Sequence, residues 1–80
     1  MLTEYVRAGM HRASYEILGD GTFYGEIPDF QGVYANAESL EVCRDELQEV
    51  LEGWIILGLS LGHSLPVVDG ITLSAELEAA

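Results

Sequence analysis

The stretch from Ser39 to Gly62, SLEVCRDELQEVLEGWIILGLSLG, constrains the fold of this 80-residue chain more than any other. It is the only segment long and periodic enough to supply most of a core by itself. Ser39 stands as an N-cap whose hydroxyl serves an orphan amide, and Glu38 and Glu41 lie where the positive end of a helix dipole favours carboxylates. On a helical projection Leu40, Cys43, Leu47, Val50, Leu51, Trp54, Gly58 and Leu61 share one arc, expected to cover a sheet. Glu41, Asp45, Gln48, Glu49 and Glu52 occupy the opposite side through the first turns, so that surface is acidic. Beyond Gly53 the outer side carries Ile56 and Leu59, and water is a poor neighbour for it. Ile55, Ile56 and Leu59 are therefore expected at a contact between subunits, in a dimer or a tetramer.

The segments before this helix read as its sheet. Residues 2–12, LTEYVRAGMHR, place Leu2, Tyr5, Val6, Gly9 and Met10 on one side at helical spacing, with Glu4, Arg7 and His11 opposite. So short a helix is marginal alone and must dock on something. It is the only locally basic part of the chain, suited either to acidic residues of a second subunit or to an internal Glu4–Arg7 contact. Ala13 to Leu18 and Thr22 to Ile27 are rich in aromatic and β-branched residues, and Gly19-Asp20-Gly21 between them marks a hairpin. Alternation puts Tyr15 and Ile17 on one face of the first strand, with Phe23, Gly25 and Ile27 on one face of the second; Glu16, Tyr24 and Glu26 lie opposite. Pro28 ends the second strand and a turn to Gly32 follows. A short third strand is expected over Val33 to Asn36, and a fourth, at an edge, over Pro66 to Leu73. The expectation is one α+β domain over residues 1–80: a three- to four-stranded, mainly antiparallel sheet, one long helix across it and a short N-terminal helix (2–12). Residues 13–73 form the core and 74–80 a short tail.

Charge limits the partners. Fourteen acidic residues against three arginines and no lysine give a net charge of −11, which argues against free nucleic acid or anionic lipid and favours a basic protein. Acidity that serves only solubility is the alternative. No apolar run is long enough for a membrane span, and no basic region followed by a plain apolar run marks a signal peptide. The one cysteine, Cys43, excludes an intrachain disulfide and fits a reducing cytoplasm.

Residues 20–55, DGTFYGEIPDFQGVYANAESLEVCRDELQEVLEGWI, resemble the bacterial HicB-like antitoxin family. The resemblance rests on an aromatic-rich strand after a glycine turn (Gly21, Tyr24), a proline-aspartate turn ending in glycine (Pro28, Asp29, Gly32) and a capped helix running to an aromatic (Ser39, Leu40, Glu41, Leu47, Trp54). It implies a truncated ribonuclease H-like fold, oligomerisation, and neutralisation of a small basic RNA-cleaving toxin by covering its RNA-binding face. An acidic protein suits that role. Tyr24, Glu26, Asp29, Glu49 and Glu52 are the candidate residues for such a partner. Two departures stand out: Ser74 to Ala80 leaves no room for the C-terminal DNA-binding domain usual in the family, and the N-terminal helix precedes the family's core pattern.

An orphan structural or regulatory oligomer without a toxin is the alternative reading, and a metal-dependent nuclease a third. The nuclease would need several carboxylates converging on divalent ions, with Glu16, Glu26, Asp29 and Glu49 as candidates. Cys43 falls on the buried arc, and His11 and His63 lack metal-ligand spacing, so no catalytic, metal or cofactor residue is expected. No glycine-rich phosphate loop or dinucleotide fingerprint is present either.

Overall fold

The structure is a computed structural model that describes residues 2–73, so the expected tail, Ser74 to Ala80, lies outside the described residues. Its elements run α1 (Leu2–His11), β1 (Ser14–Ile17), β2 (Phe23–Glu26), β3 (Tyr34–Ala37) and α2 (Leu40–Ser60). The strands form one antiparallel sheet in the order β1-β2-β3, with Tyr15 opposite Gly25 and Gly25 opposite Ala35. The α+β architecture is therefore the one read from the sequence, and the β1–β2 hairpin and β3 lie where they were expected. None of the described helices is long and apolar enough to cross a membrane.

Both ends of α2 have local causes. Ser39 accepts a hydrogen bond at Oγ from the Val42 amide at 3.2 Å, which satisfies one of the first orphan donors. At the other end Gly62, with φ +74°, lets the His63 amide bond the Gly58 carbonyl and its own amide bond the Leu59 carbonyl, a Schellman stop. Between these ends Cys43, Leu47, Leu51, Ile55 and Gly58 are buried. The inner arc is thus rotated from the expected one. Leu40, Val50 and Leu61 are exposed, and Ile55 is fully buried in its own chain. Ile55 cannot be offered to another subunit.

The helix lies over β3 and β2, while all four residues of β1 are exposed. Gly25 makes the close approach possible: a Cβ there would lie 2.8 Å from the Tyr15 ring and 3.2 Å from Cys43 Sγ. Tyr15 folds over that space, but Ile17, on the same face, is 68% exposed because no helix reaches it. The free edge of the sheet is therefore more apolar than alternation alone suggested.

Two further segments close the core. Phe30 is buried within the Pro28–Gly32 turn, its ring edge-on to Tyr5 at 6.0 Å and to Trp54 at 5.1 Å, so one aromatic chain joins α1, the turn and α2. Tyr5 donates its hydroxyl to the Pro66 carbonyl, and burial pushes its pKa up to about 12, with Asp29 adding to the effect. The N-terminal helix is consequently part of the core. The expected fourth strand is not formed. Val68 and Ile71 exchange both backbone hydrogen bonds with each other in a single bridge, closed by Asp69 (φ 50°) and Gly70 (φ 77°), so this run turns on itself without joining the sheet. Leu65, Val68 and Leu73 still bury their side chains against the core.

Candidate functional site

One face of the sheet carries the helix; the other has no described element over it. Because Gly25 and Ala35 are buried beneath α2, alternation sends Glu16 of β1, Tyr24 and Glu26 of β2, and Tyr34 and Asn36 of β3 to the open face. The register sets Glu16 opposite Tyr24 and Glu26 opposite Tyr34. Tyr24 and Tyr34 lie on the diagonal and stack, with ring centroids 6.2 Å apart and planes at 28°. Tyr24 donates its hydroxyl to Glu26 Oε1 at 3.0 Å, and that bond, ahead of burial, raises the Tyr24 pKa. Asn36 is held as well, donating to Thr22 Oγ1 at 2.9 Å and to the Phe23 carbonyl at 2.8 Å. The result is a stacked aromatic pair bordered by the carboxylates of Glu16 and Glu26.

The other candidates lie apart from this face. Glu49 and Glu52 are exposed on α2, in the layer behind the sheet, alongside Glu41, Asp45 and Glu46. Gln48 donates to Glu52 Oε2 at 3.1 Å. Asp29 is taken up inside the chain: Arg12 bridges it at 3.1 Å and Asp69 at 3.4 Å, clamping two turns that are far apart in sequence. The five residues suggested for a partner are thus divided: Tyr24 and Glu26 share the open sheet face, Glu49 and Glu52 lie on α2 behind the sheet, and Asp29 has a structural partner already. Of the residues suggested for a subunit contact, Ile56 is 63% exposed, Leu59 is half-buried against the core, and Ile55 is inside it.

Sequence reasoning passed over two features. Tyr34 completes the stacked pair, and the signal was its place two residues from Asn36 once β3 is registered against β2. Arg44 joins Arg7 and His11 in lining a groove of about 600 Å³ between α1 and α2, floored by Val6 and Met10. Neither arginine has an ion-pair partner among the described residues, whereas Arg12 has two. Seen alone, the sequence of α1 could not show that a cation 37 positions later (44 − 7) faces it.

The four carboxylates weighed for metal chemistry do not converge, since Glu16 and Glu26 are on the sheet face, Asp29 is in the clamp and Glu49 is on α2. Among the described residues no group of three or more His, Cys, Asp or Glu side chains is arranged to hold a metal ion. Cys43 is fully buried with its Sγ 3.6 Å from the Ala35 carbonyl, and burial raises its thiol pKa, which disfavours the reactive thiolate.

Comparison with known proteins adds three findings. No curated protein matches the chain. The crystal structure of TTHA0281 from Thermus thermophilus is similar, with 40% sequence identity, a TM-score of 0.86 and 91% of each chain covered. Residues 4–66 match the UPF0150-like family, a span that takes in nearly all of α1 as well as the sheet and α2. The N-terminal helix therefore lies within the family's shared domain, and the chain belongs to the UPF0150-like family.

Proposed function

We propose that this chain is a non-enzymatic, cytoplasmic binding protein of the HicB-like antitoxin type, which self-associates and holds a small basic protein, an RNA-cleaving toxin, against its open sheet face. The observation that carries this reading is the stacked Tyr24–Tyr34 pair set between Glu16 and Glu26 on a face that no described element covers. Rigid tyrosines give contact area at low entropic cost, and an arginine laid on such a ring gains cation–π attraction while its fork reaches a neighbouring carboxylate. The net charge of −11 would speed the encounter with a cation-rich surface and oppose polyanions, so one face would take the place that RNA phosphates occupy on the toxin. The paired strands present these side chains on one surface, which suits an inhibitor whose task is to cover a surface.

The test is co-expression with candidate small Lys- and Arg-rich proteins, followed by pull-down at low and high salt. The expected result is salt-sensitive retention by the wild type and loss with Glu26→Lys or Tyr34→Ala. Absence of any retained cationic protein at low salt would instead support an orphan oligomeric module.

A further inference from the structure

Most of the basic side chains of this acidic protein meet in one place. Of its three arginines and two histidines, Arg7, His11 and Arg44 line the groove of about 600 Å³ between α1 and α2. Arg12 is taken up by Asp29 and Asp69, whereas Arg7 and Arg44 have no ion-pair partner among the described residues. In a chain with fourteen acidic groups, two bare guanidiniums on one groove are positioned for an anion.

The groove also has a direction. Phe30 packs against both Tyr5 and Trp54, a Cβ on Gly9 would lie 3.1 Å from Leu51 Cδ2, and Tyr15 meets Cys43 over Gly25. Tyr5, Gly9 and Tyr15 thus run against Trp54, Leu51 and Cys43, and α1 lies antiparallel to α2. That order puts His11 towards Arg44 at one end and Leu2 towards Ile56 at the other, about 18 Å away along α2 at the helical rise per residue. Arg7 stands one turn before His11, so the cations gather in one half. Leu2 and Ile56 are 44% and 63% exposed, and the buried Val6 and Met10 continue their apolar surface along the floor. We propose that this groove binds a small amphiphilic acid, one carboxylate on an extended apolar chain, with the carboxylate at Arg7 and Arg44 and the chain running towards Leu2 and Ile56.

Each half of the groove narrows the ligand class. Guanidinium forks match a carboxylate, and the His11 ring adds an N–H donor beside them. Apolar walls with a few placed polar groups are the usual make-up of small-molecule sites, whose volumes run from about 300 to 1,000 Å³. An inorganic anion would leave the apolar half wet, and a neutral hydrocarbon would leave both guanidiniums without a counter-charge. Glu52 is the one acid lining the groove among the described residues, its Oε2 accepting from Gln48, and it opposes a second negative charge on the ligand. The net charge of −11 repels polyanions far more than one carboxylate, which meets a local field set within a Debye length of about 8 Å at physiological salt. This site goes beyond the proposed function: Tyr24 and Tyr34 lie on the open sheet face, and nothing here depends on what binds there.

Titration calorimetry of the full chain with sodium dodecanoate, kept below its micelle-forming concentration, tests the assignment. One molecule is expected to bind per chain. Dodecyl maltoside, the same chain on a neutral head, and acetate, the same head without the chain, are each expected to bind at least about tenfold more weakly to the wild type. Arg7→Gln and Arg44→Gln are each expected to raise Kd by about tenfold, and the pair Leu2→Ser/Ile56→Ser by a similar factor. Glu52→Gln, which removes the repelling charge, is expected to lower Kd by about threefold. Amide-resolved NMR shifts on adding dodecanoate should fall on α1 and on α2 from Arg44 to Ile56, sparing Tyr24 and Tyr34. Circular dichroism checks that the variants keep their fold, all the altered side chains being exposed, and the comparison of ligands on the wild type needs no variant at all.

The absence of saturable binding of dodecanoate overturns the proposal. So does equal binding of dodecyl maltoside, wild-type affinity in both arginine variants, or NMR shifts centred away from the groove. Tighter binding of an acidic, leucine-rich peptide than of dodecanoate would give the groove to a protein partner and overturn the small-acid assignment as well.

Discussion

Ile55 and Ile56 are adjacent and chemically identical, yet one is fully buried and the other 63% exposed, so truncating each to alanine isolates what burial contributes. In Ile55→Ala the three outer carbons leave a site enclosed by the core, losing about 2.4 kcal/mol of transfer free energy at ~0.8 kcal/mol per carbon. The cavity left behind adds to that, placing the expected loss at about 2–5 kcal/mol. A domain of this size has on the order of 4–12 kcal/mol of total stability, so the melting temperature should fall by about 10 °C or more. Ile56→Ala should change stability by less than about 0.5 kcal/mol when measured dilute enough that the chain is monomeric. Urea unfolding followed by Trp54 fluorescence is the assay, because that indole packs edge-on against Phe30 at 5.1 Å and reports loss of the core directly. Equal losses at the two positions, or a larger one at Ile56, would refute the placement of α2 on the sheet.

Other perturbations test separate parts of the fold. Gly53 sits mid-helix and exposed, with open space where a Cβ would go, so Gly53→Ala should stabilise the chain by about 0.5–1 kcal/mol in the same urea assay. Gly25→Ala should do the reverse, losing about 1–3 kcal/mol, because the added methyl meets the Tyr15 ring at 2.8 Å and Cys43 Sγ at 3.2 Å. Ser39→Ala removes the α2 cap and should cost about 1 kcal/mol. The Tyr5 pKa is raised from 10.0 to about 12, so the folded state holds that proton more tightly than the unfolded chain does. Its contribution is complete below pH 10.0 and is lost as pH rises towards about 12; thermal melts across that window should show a loss of stability that Tyr5→Phe lacks.

The parts of the fold legible in the sequence were those with local causes. Ser39 and the acidic first turns marked the start and outer side of α2, and the Gly19–Gly21 turn marked the hairpin. The phase of α2 was legible only where a polar face existed to define it. Past Gly53 apolar residues surround the axis, so periodicity could not separate Ile55, in the core, from Leu61, outside it. There the rotation is fixed by tertiary contact, since Gly58 lies so close to Leu65 that a Cβ would approach its side chain to 2.8 Å. Composition made Pro66 to Leu73 look like a strand, but Asp69 and Gly70 fold its halves onto each other before either reaches the sheet.

The candidate site divides the same way. Tyr24 and Glu26 were placed on a shared face by simple alternation, and that face is the open one. Their neighbours Tyr34 and Glu16 come from other strands, and only the register of three strands brings them together. Asp29 looked available because its partner, Arg12, is 17 positions away, and the Arg12–Asp69 arm of the clamp spans 57. Long-range ion pairs leave no periodic trace in a sequence. The groove that gathers Arg7 and Arg44 depends on how α1 docks, which the hydrophobic pattern of α1 permits without specifying.

The measurement that tests the central claim most directly is the affinity of the purified chain for small Lys- and Arg-rich RNA-cleaving proteins, by calorimetry at two salt concentrations. Tight binding that weakens with salt and is lost in Glu16→Lys/Glu26→Lys, a change confined to the open sheet face, is the expected result. Binding by that variant equal to the wild type, or no binding by either at low salt, would contradict it.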